Sequence, residues 1–451
     1  MNFVTFSVFL FFFITIILGY ISGRKIKDIE EFSVSHKNYS TPVMVATIFA
    51  TVIGGGSTIG VIEKSYTHGL FYILVFLGMA FNRLWVGYLV APRMSYFSAN
   101  YNSLPEIMSR YYGLWGLHIT ALSTILVSVA SVGTQTFAIA HILNHFTDIP
   151  FYYSAFIGCG VLILYSSFGG MRSVVATDIL QFSLILTLVP LLLSTVISDV
   201  GGMSGIRDVL IGDYLSKKPN FLTLWGTFLA LLVGSGDPSF LQRLLVAKDS
   251  IQAKNSTIIT GYVSCLFYLL IGLIGILAYS LMPGFTGTQI FVKLVDTYFP
   301  SSFMILIVIG VLSAIMSSAD SDLNMVGISV ASDHFKNIEL TDRQRLLLAR
   351  FSTFLIGFLA VFVALKAKSI LDIIIYAFSF WAPAALIPLL GCFFGFSVPK
   401  KWMVSGVFLG CLCTLFWGIF FQDLILVDGI VPGIIVHVIF FCLKAKRNEN
   451  I

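Results

Sequence analysis

The chain has 451 residues, of which 57% are hydrophobic and only 11% are charged, with 42 phenylalanines; a soluble chain usually carries about 25% charged residues. No water-soluble fold can bury that much apolar surface and still cover itself with polar groups, which excludes a cytosolic enzyme, a nucleic-acid binder and a secreted disulfide scaffold. The net charge of +5 is no argument for nucleic acid, because basic residues in a membrane protein mark its cytoplasmic side.

The apolar residues fall in long runs and not in alternating ten-residue strands, which predicts spanning helices and not a β-barrel. Thirteen spans are predicted, at 3–22, 41–65, 69–92, 115–144, 151–169, 172–199, 221–247, 255–283, 301–333, 346–366, 370–397, 402–421 and 427–443. The first could pass for a signal peptide, but its run from Phe3 to Tyr20 is long, has no small-residue cleavage site, and is followed by Arg24 and Lys25. It is expected to remain as a membrane helix. The connections are short and polar, so one membrane domain is expected over 1–451. Cys159, Cys265, Cys392, Cys411, Cys413 and Cys442 all lie inside apolar runs without a C-x-x-C pair. They read as small buried hydrophobes.

Thirteen spans put the termini on opposite sides. With the N-terminus outside, 19 Lys and Arg residues, Arg243 among them, fall on the inside and 7 on the outside. That bias favours an outside N-terminus and an inside C-terminus. A compact chain without long tails suggests a bacterial inner (cytoplasmic) membrane.

The second span contains Ala50-Thr51-Val52-Ile53-Gly54-Gly55-Gly56-Ser57-Thr58. Three consecutive glycines cost about 1 kcal/mol each against alanine in a helix interior. They suit a segment that unwinds at mid-membrane and frees carbonyls to coordinate a cation; close packing on small residues is the other account. At the end of the fourth span, His141 and His145 stand four apart with Asp148 beyond. The glutamate of H-E-x-x-H is missing, so a transition-metal site is not expected. In the sixth span, Asp178 and Gln181 share a face, and Asp178 could ligate an ion, carry a proton or pair with Arg172.

The seventh span is interrupted at Gly234-Ser235-Gly236-Asp237-Pro238-Ser239. Proline breaks a helix, and an intramembrane carboxylate such as Asp237 is a functional hypothesis by default. The two interrupted spans lie five apart, which points to an inverted repeat with its binding site at the breaks. The ninth span places Ala314, Ser317, Ser318 and Ser321 on one helical face, overlapped by a stripe of Ser313, Ser317, Asp320 and Asn324. Hydroxyls with a carboxylate suit a hard, oxygen-preferring ion such as sodium. The alternative is that the serines bond back to their own helix and Asp320 meets water near the cytoplasmic end.

Three motifs in order resemble the sodium:solute symporter family: Gly169-Gly170…Thr177-Asp178…Gln181, Gln242-Arg243…Ala247-Lys248, and Ala314-Ile315-Met316-Ser317-Ser318. The resemblance holds from about residue 1 to 400. It implies an all-α membrane protein with a LeuT-type five-plus-five inverted repeat, one helix before the core and two after. The boundaries would be a leading helix at 3–22, repeats at 41–199 and 221–398, and trailing helices at 402–443. It also implies a sodium site made of the carbonyls of Ala50, Ile53 and Ala314 and the hydroxyls of Ser317 and Ser318. A further ion near Asp178 and Ser321 occurs in some members.

Within the family the likeness is nearest to the choline-transporter branch, through Ala50-Thr51, Gly54-Gly55-Gly56, Glu63, Tyr66 and Ser317 to Ser321. That branch cages a quaternary ammonium with tryptophans by cation–π attraction. Val52 and Asp237 stand at the matching positions, so the cage is missing. Asp237 could instead pair with an amino or guanidinium group of the solute, or make a structural bond to Arg83 or a freed backbone N–H. Ser57, Thr58, Thr134, Gln135, Tyr376, Ser379 and Trp381 complete the candidate lining, with Ser57, Thr58, Gln135, Asp237 and Tyr376 taken as substrate-binding.

The resulting expectation is a symporter that imports a small organic solute with co-transported sodium by alternating access. No organic cofactor, nucleic acid or required protein partner is expected. Proton coupling through Asp178, Asp237 or Asp320, and a transporter-like sensor without transport, are the competing readings. An enzyme is disfavoured because no nucleophile–base pair, complete metal motif or phosphate loop is found.

Overall fold

A computed structural model describes residues 3–24, 26–35, 38–211, 220–287, 289–334, 340–366, 370–421 and 429–447. Lys25, Lys37, Lys217, Lys218, Lys336 and Lys368, which entered the charge bias, lie outside the described residues. Among those described, eight helices are long and apolar enough to cross a membrane, or nine if one bent pair counts as a span.

The chain opens with α1 (Phe3–Gly23), a short α2 (Ile29–Val34) and α3 (Thr41–Val52). A π-helical turn at Gly56–Gly60 then leads into α4 (Val61–His68), bent 71° from α3. Next come α5 (Leu70–Trp85), α6 (Met94–Asn100), α7 (Leu104–Thr147), α8 (Phe151–Val200) and α9 (Gly202–Ile211). A second interrupted pair follows, α10 (Phe221–Gly234) and α11 (Pro238–Val246). The rest is α12 (Ser250–Leu281), α13 (Gln289–Tyr298), α14 (Ser301–Ile328), α15 (Asp342–Lys366), α16 (Ile370–Trp381), α17 (Ile387–Phe393), α18 (Lys400–Phe420) and α19 (Ile430–Cys442). A two-residue antiparallel pairing of Phe396–Ser397 with Lys446–Arg447 is the sheet among the described residues.

The spans expected at 151–169 and 172–199 are two helices within α8, separated at Gly170, whose φ of 47° is left-handed. That backbone favours glycine, and a Cβ there would meet the Phe32 ring at 2.6 Å. The neighbouring Gly169 lies so close to Gly23 that a Cβ on Gly23 would sit 2.3 Å from its Cα. The Gly-Gly motif therefore bends α8 and seats α1 against it, the usual use of small residues between membrane helices. Short helices α2, α9 and α13 occupy stretches read as plain connections. They are too short to show a spanning pattern, although α13 buries Ile290, Phe291, Leu294 and Val295 along one face.

Local signals set the polar helix starts. Asp249 caps α12 by accepting from Gln252 N at 2.7 Å, while Gln252 Oε1 accepts from Lys248 N at 3.0 Å. Ser103 and Glu106 make the same reciprocal pair at the start of α7. Such a cap contributes about 1 kcal/mol.

At the second break, Pro238 opens α11 and Asp237 caps it, accepting from Phe240 N at 2.8 Å. Carbonyls around this break need partners, because no water reaches them in hydrocarbon. Trp381 Nε1 donates to Gly236 O at 3.0 Å, and Asn82 Nδ2 donates to Leu232 O at 2.8 Å. The interruption is thus held by side chains of α16 and α5. All six cysteines are free, but only Cys159 and Cys392 are buried; Cys442 is exposed. The expectation of six buried thiols fails because an apolar run in a membrane also has outward-facing positions.

Candidate functional site

Helix α3 ends where its sequence turns to glycine, and Ile53 already has extended backbone. Gln135 on α7 reaches into the gap, its Oε1 accepting from Gly55 N at 2.8 Å. Gly54 lies against α14 so closely that a Cβ there would be 2.6 Å from Ser318 Oγ and 2.8 Å from Gln135 Nε2. Ser317 Oγ lies 2.7 Å from Ala50 O and 3.0 Å from Ala314 O. Ser318 Oγ donates to Thr51 O at 2.9 Å. Ala50, Ala314 and Ser317 therefore meet, with Ser318 one residue along and Ile53 at the helix end. All the polar groups in this set are neutral oxygens, the donor chemistry a monovalent hard cation takes.

Beside it lies a fully buried ion pair. Arg243 Nη2 is 2.7 Å from Ser321 Oγ and 3.4 Å from Asp178 Oδ2, and Arg243 Nε donates to Thr51 Oγ1 at 3.1 Å. Thr47 Oγ1 also donates to Asp178. Asp320, fully buried, accepts from Thr177 Oγ1 at 3.3 Å. The structure corrects three expectations. Arg243 is not in an inside connection but is 1% exposed in the interior. Asp178 pairs with Arg243, whereas Arg172 pairs with Glu31 at 3.1 Å. Asp320 does not meet water. In each case a charged residue in an apolar run reads as a boundary until folding brings it a partner. Asp178 and Ser321 do come together, and the cation between them is the Arg243 guanidinium.

A cavity of about 60 Å³ opens between the two breaks. The first break lines it through Thr51, Val52, Gly54 and Ser57, and the second through Asp237 and Ser239. Ser131 and Gln135 on α7, Ser318 and Asp322 on α14, and Met79 and Arg83 on α5 complete its polar side and floor. Ser239 Oγ is 2.8 Å from Asp237 Oδ1 and 2.8 Å from Asp322 Oδ1, so one hydroxyl links two carboxylates. Arg83 bonds Met79 O at 2.6 Å through Nη1 and lies 5.2 Å above the Phe240 ring. Its buried Nε has no hydrogen-bond partner. No ion pair joins Arg83 to Asp237 within 4.0 Å among the described residues; Asp237 takes the freed N–H of Phe240.

Ser57, Gln135 and Asp237 line the cavity as expected from the sequence. Thr58 does not: it is fully buried and bonds Gly54 O at 2.8 Å. Trp381 serves the Gly236 carbonyl, and Thr134 bonds Ala130 O in its own helix. The Tyr376 side chain lies outside the described residues. Asp322, Ser239 and Ser131 were missed as lining residues, and Arg83, considered only as a structural partner of Asp237, lines the cavity too. Asp322 was within reach of the spacing argument, because it follows Ser318 by one helical turn. Elsewhere, His145 pairs with Asp296 at 3.7 Å and His141 packs on Phe137 and Phe151. No group of three metal-ligating side chains is found among the described residues.

A model of the sodium:solute symporter family matches residues 32–413. The high-affinity choline transporter 1 of Caenorhabditis elegans is 25% identical over 412 residues, covering 81% of this chain and 69% of the relative. The osmoregulated proline transporter OpuE of Bacillus subtilis (strain 168) is 22% identical over 414 residues, covering 85% and 83%. The solved structure of a Na+-coupled sialic acid symporter, substrate-bound and outward-open, superposes with a TM-score of 0.85 at 19% identity, covering 99% of each chain. That likeness shows a shared fold.

Proposed function

The chain belongs to the sodium:solute symporter family, and from that premise we propose that it imports a small organic solute coupled to sodium, binding it between the two broken helices. The protein is an integral membrane protein with a LeuT-like symporter fold. The observation that carries the proposal is the meeting of Ser317 and Ser318 with the carbonyls of Ala50, Thr51 and Ala314, next to a cavity lined by Ser318 and Gly54.

Sodium at these oxygens, with the Ile53 carbonyl, ties the interrupted α3 to α14 and favours the state that accepts solute from outside. The solute binds at the breaks, and rocking of one helical group against the other exposes both ligands to the cytoplasm. Coupling is reciprocal: sodium raises solute affinity by the same factor by which solute raises sodium affinity. Asp237 is the anchor for an amine-bearing solute. One sodium site is proposed, because the Arg243 guanidinium already bonds Asp178 and Ser321. The proposal includes the thirteen-span topology, repeats at 41–199 and 221–398, an outside N-terminus and an inside C-terminus in a bacterial cytoplasmic membrane.

The test is the melting temperature of the purified protein in sodium and in potassium, because a ligand that binds only the folded state raises stability by mass action. Sodium is expected to raise it and potassium not. Equal response to both ions would overturn sodium coupling. Gly54→Ala provides a local check. The added Cβ forces Ser318 and Gln135 aside, so the sodium response is expected to vanish while the variant still reaches the membrane. An unchanged sodium response in G54A would show that the contact does not hold the site.

A further inference from the structure

We propose that the solute is a small monovalent organic cation with N–H donors, an ammonium or a guanidinium, held between Asp237 and Asp322. The inference rests on the solute site proposed above and names its chemical class. Three observations carry it.

The first is the bridged pair of carboxylates. Ser239 has one hydroxyl proton and two carboxylate oxygens 2.8 Å away, so it can serve only one of them at a time. Both acids line the cavity, and Asp322 is 5% exposed. A solute nitrogen carrying two or more protons can donate to both, and charge-assisted bonds of that kind are the strong ones.

The second is the charge balance. Two carboxylates, Asp237 and Asp322, line the cavity against one guanidinium, Arg83. Charges inside a membrane protein are retained when they are compensated. The sodium site proposed above is built of neutral oxygens, so a monovalent cationic solute is the natural partner for the carboxylate in excess. A zwitterion or a neutral sugar would leave it uncompensated, and a dication would overshoot.

The third is the poverty of aromatic lining. Phe378 is the one aromatic residue among the described lining residues. A quaternary ammonium has no N–H to give a carboxylate and is recognised by aromatic faces, so the cavity is built for protonated nitrogen instead. Arg83 adds a complement: its buried, unpartnered Nε–H offers a donor to a neutral oxygen on the solute.

A matched pair of probes separates these chemistries. Ethanolamine and choline are both hydroxyl-bearing monocations, and they differ in having or lacking N–H donors. The experiment measures the melting temperature of the purified full chain in sodium with ethanolamine, guanidinoethanol, choline, proline or glucose. Ethanolamine or guanidinoethanol is expected to raise it, with choline, proline and glucose without effect. In Asp322→Asn the half-saturating concentration of the active probe should rise by about tenfold or more, a larger factor than the change in half-saturating sodium concentration measured without the probe. Asp322→Glu keeps the charge and should retain the preference for N–H cations, which guards against a variant that merely folds poorly.

Stabilisation by choline, proline or glucose in place of the two N–H cations would overturn the inference and leave the sodium-coupled solute site standing. A sodium response with no response to either N–H cation would overturn it as well. Absence of any sodium response would instead overturn the symporter reading on which it rests.

Discussion

Replacing Ser317 and Ser318 together by alanine is expected to abolish sodium-driven uptake. Ser317 Oγ sits 2.7 Å from Ala50 O, and Ser318 Oγ sits 2.9 Å from Thr51 O. These are two of the polar contacts by which α14 grips the broken end of α3, beside Ser321 Oγ at 3.1 Å from Thr51 Oγ1. A contact between a hydroxyl and a charged partner contributes about 1.5–3 kcal/mol, so losing two should shift the half-saturating sodium concentration by about a hundredfold or more. Each single variant keeps one hydroxyl and should show an intermediate shift. The measurement is initial uptake into proteoliposomes across a range of outside sodium concentrations. Sodium dependence unchanged in the double variant would remove this site from the mechanism.

Arg243→Met is expected to cost more stability than any other single change in the interior. The guanidinium bridges Asp178, Ser321 and Thr51 from α11, so its loss leaves Asp178 charged and buried without a cation. Removing one partner of a buried pair costs about 3–5 kcal/mol, largely because the other charge remains. The variant should accumulate poorly and melt well below the wild type in detergent. Adding Asp178→Asn removes the stranded charge and should recover part of the loss, the signature of a direct coupling. Arg243→Lys should fall between, since an ammonium cannot span three partners as a planar fork does. A double variant no more stable than Arg243→Met alone would mean that Asp178 is not its working partner.

Much of the fold was legible because the membrane imposes local rules. Long apolar runs had to be helices, since hydrocarbon offers the backbone no other partner. The breaks were legible at Gly54-Gly55-Gly56 and at Gly234 to Pro238, where glycine and proline disfavour a helix whatever lies nearby. Helical spacing marked the hydroxyl face of α14, and its pairing with the broken end of α3 followed from the motif resemblance. It appears in the structure as a 2.7 Å contact between residues 267 apart.

What failed was partner assignment. Arg243 sits in Phe240-Leu241-Gln242-Arg243-Leu244-Leu245, and nothing local tells a boundary arginine from a buried one. Its partners come from α3, α8 and α14, up to 192 residues away along the chain. Asp322 was passed over because a carboxylate at a helix position gains meaning only when another, Asp237, arrives on a different helix. Arg172 was offered to Asp178, but α2 supplies Glu31 instead.

The sequence by itself determined the membrane class, the helical secondary structure, the two places where helices stop, and the hydroxyl face of α14. Each of these depends on residues within a few turns of one another. Only the tertiary structure decided which carboxylate faces which guanidinium and which side chains share the cavity. Those outcomes depend on the depth and rotation of each helix. Depth and rotation are set by close contacts between distant segments, such as Gly23 against Gly169 and Gly54 against Ser318, and neither apolar periodicity nor composition records them.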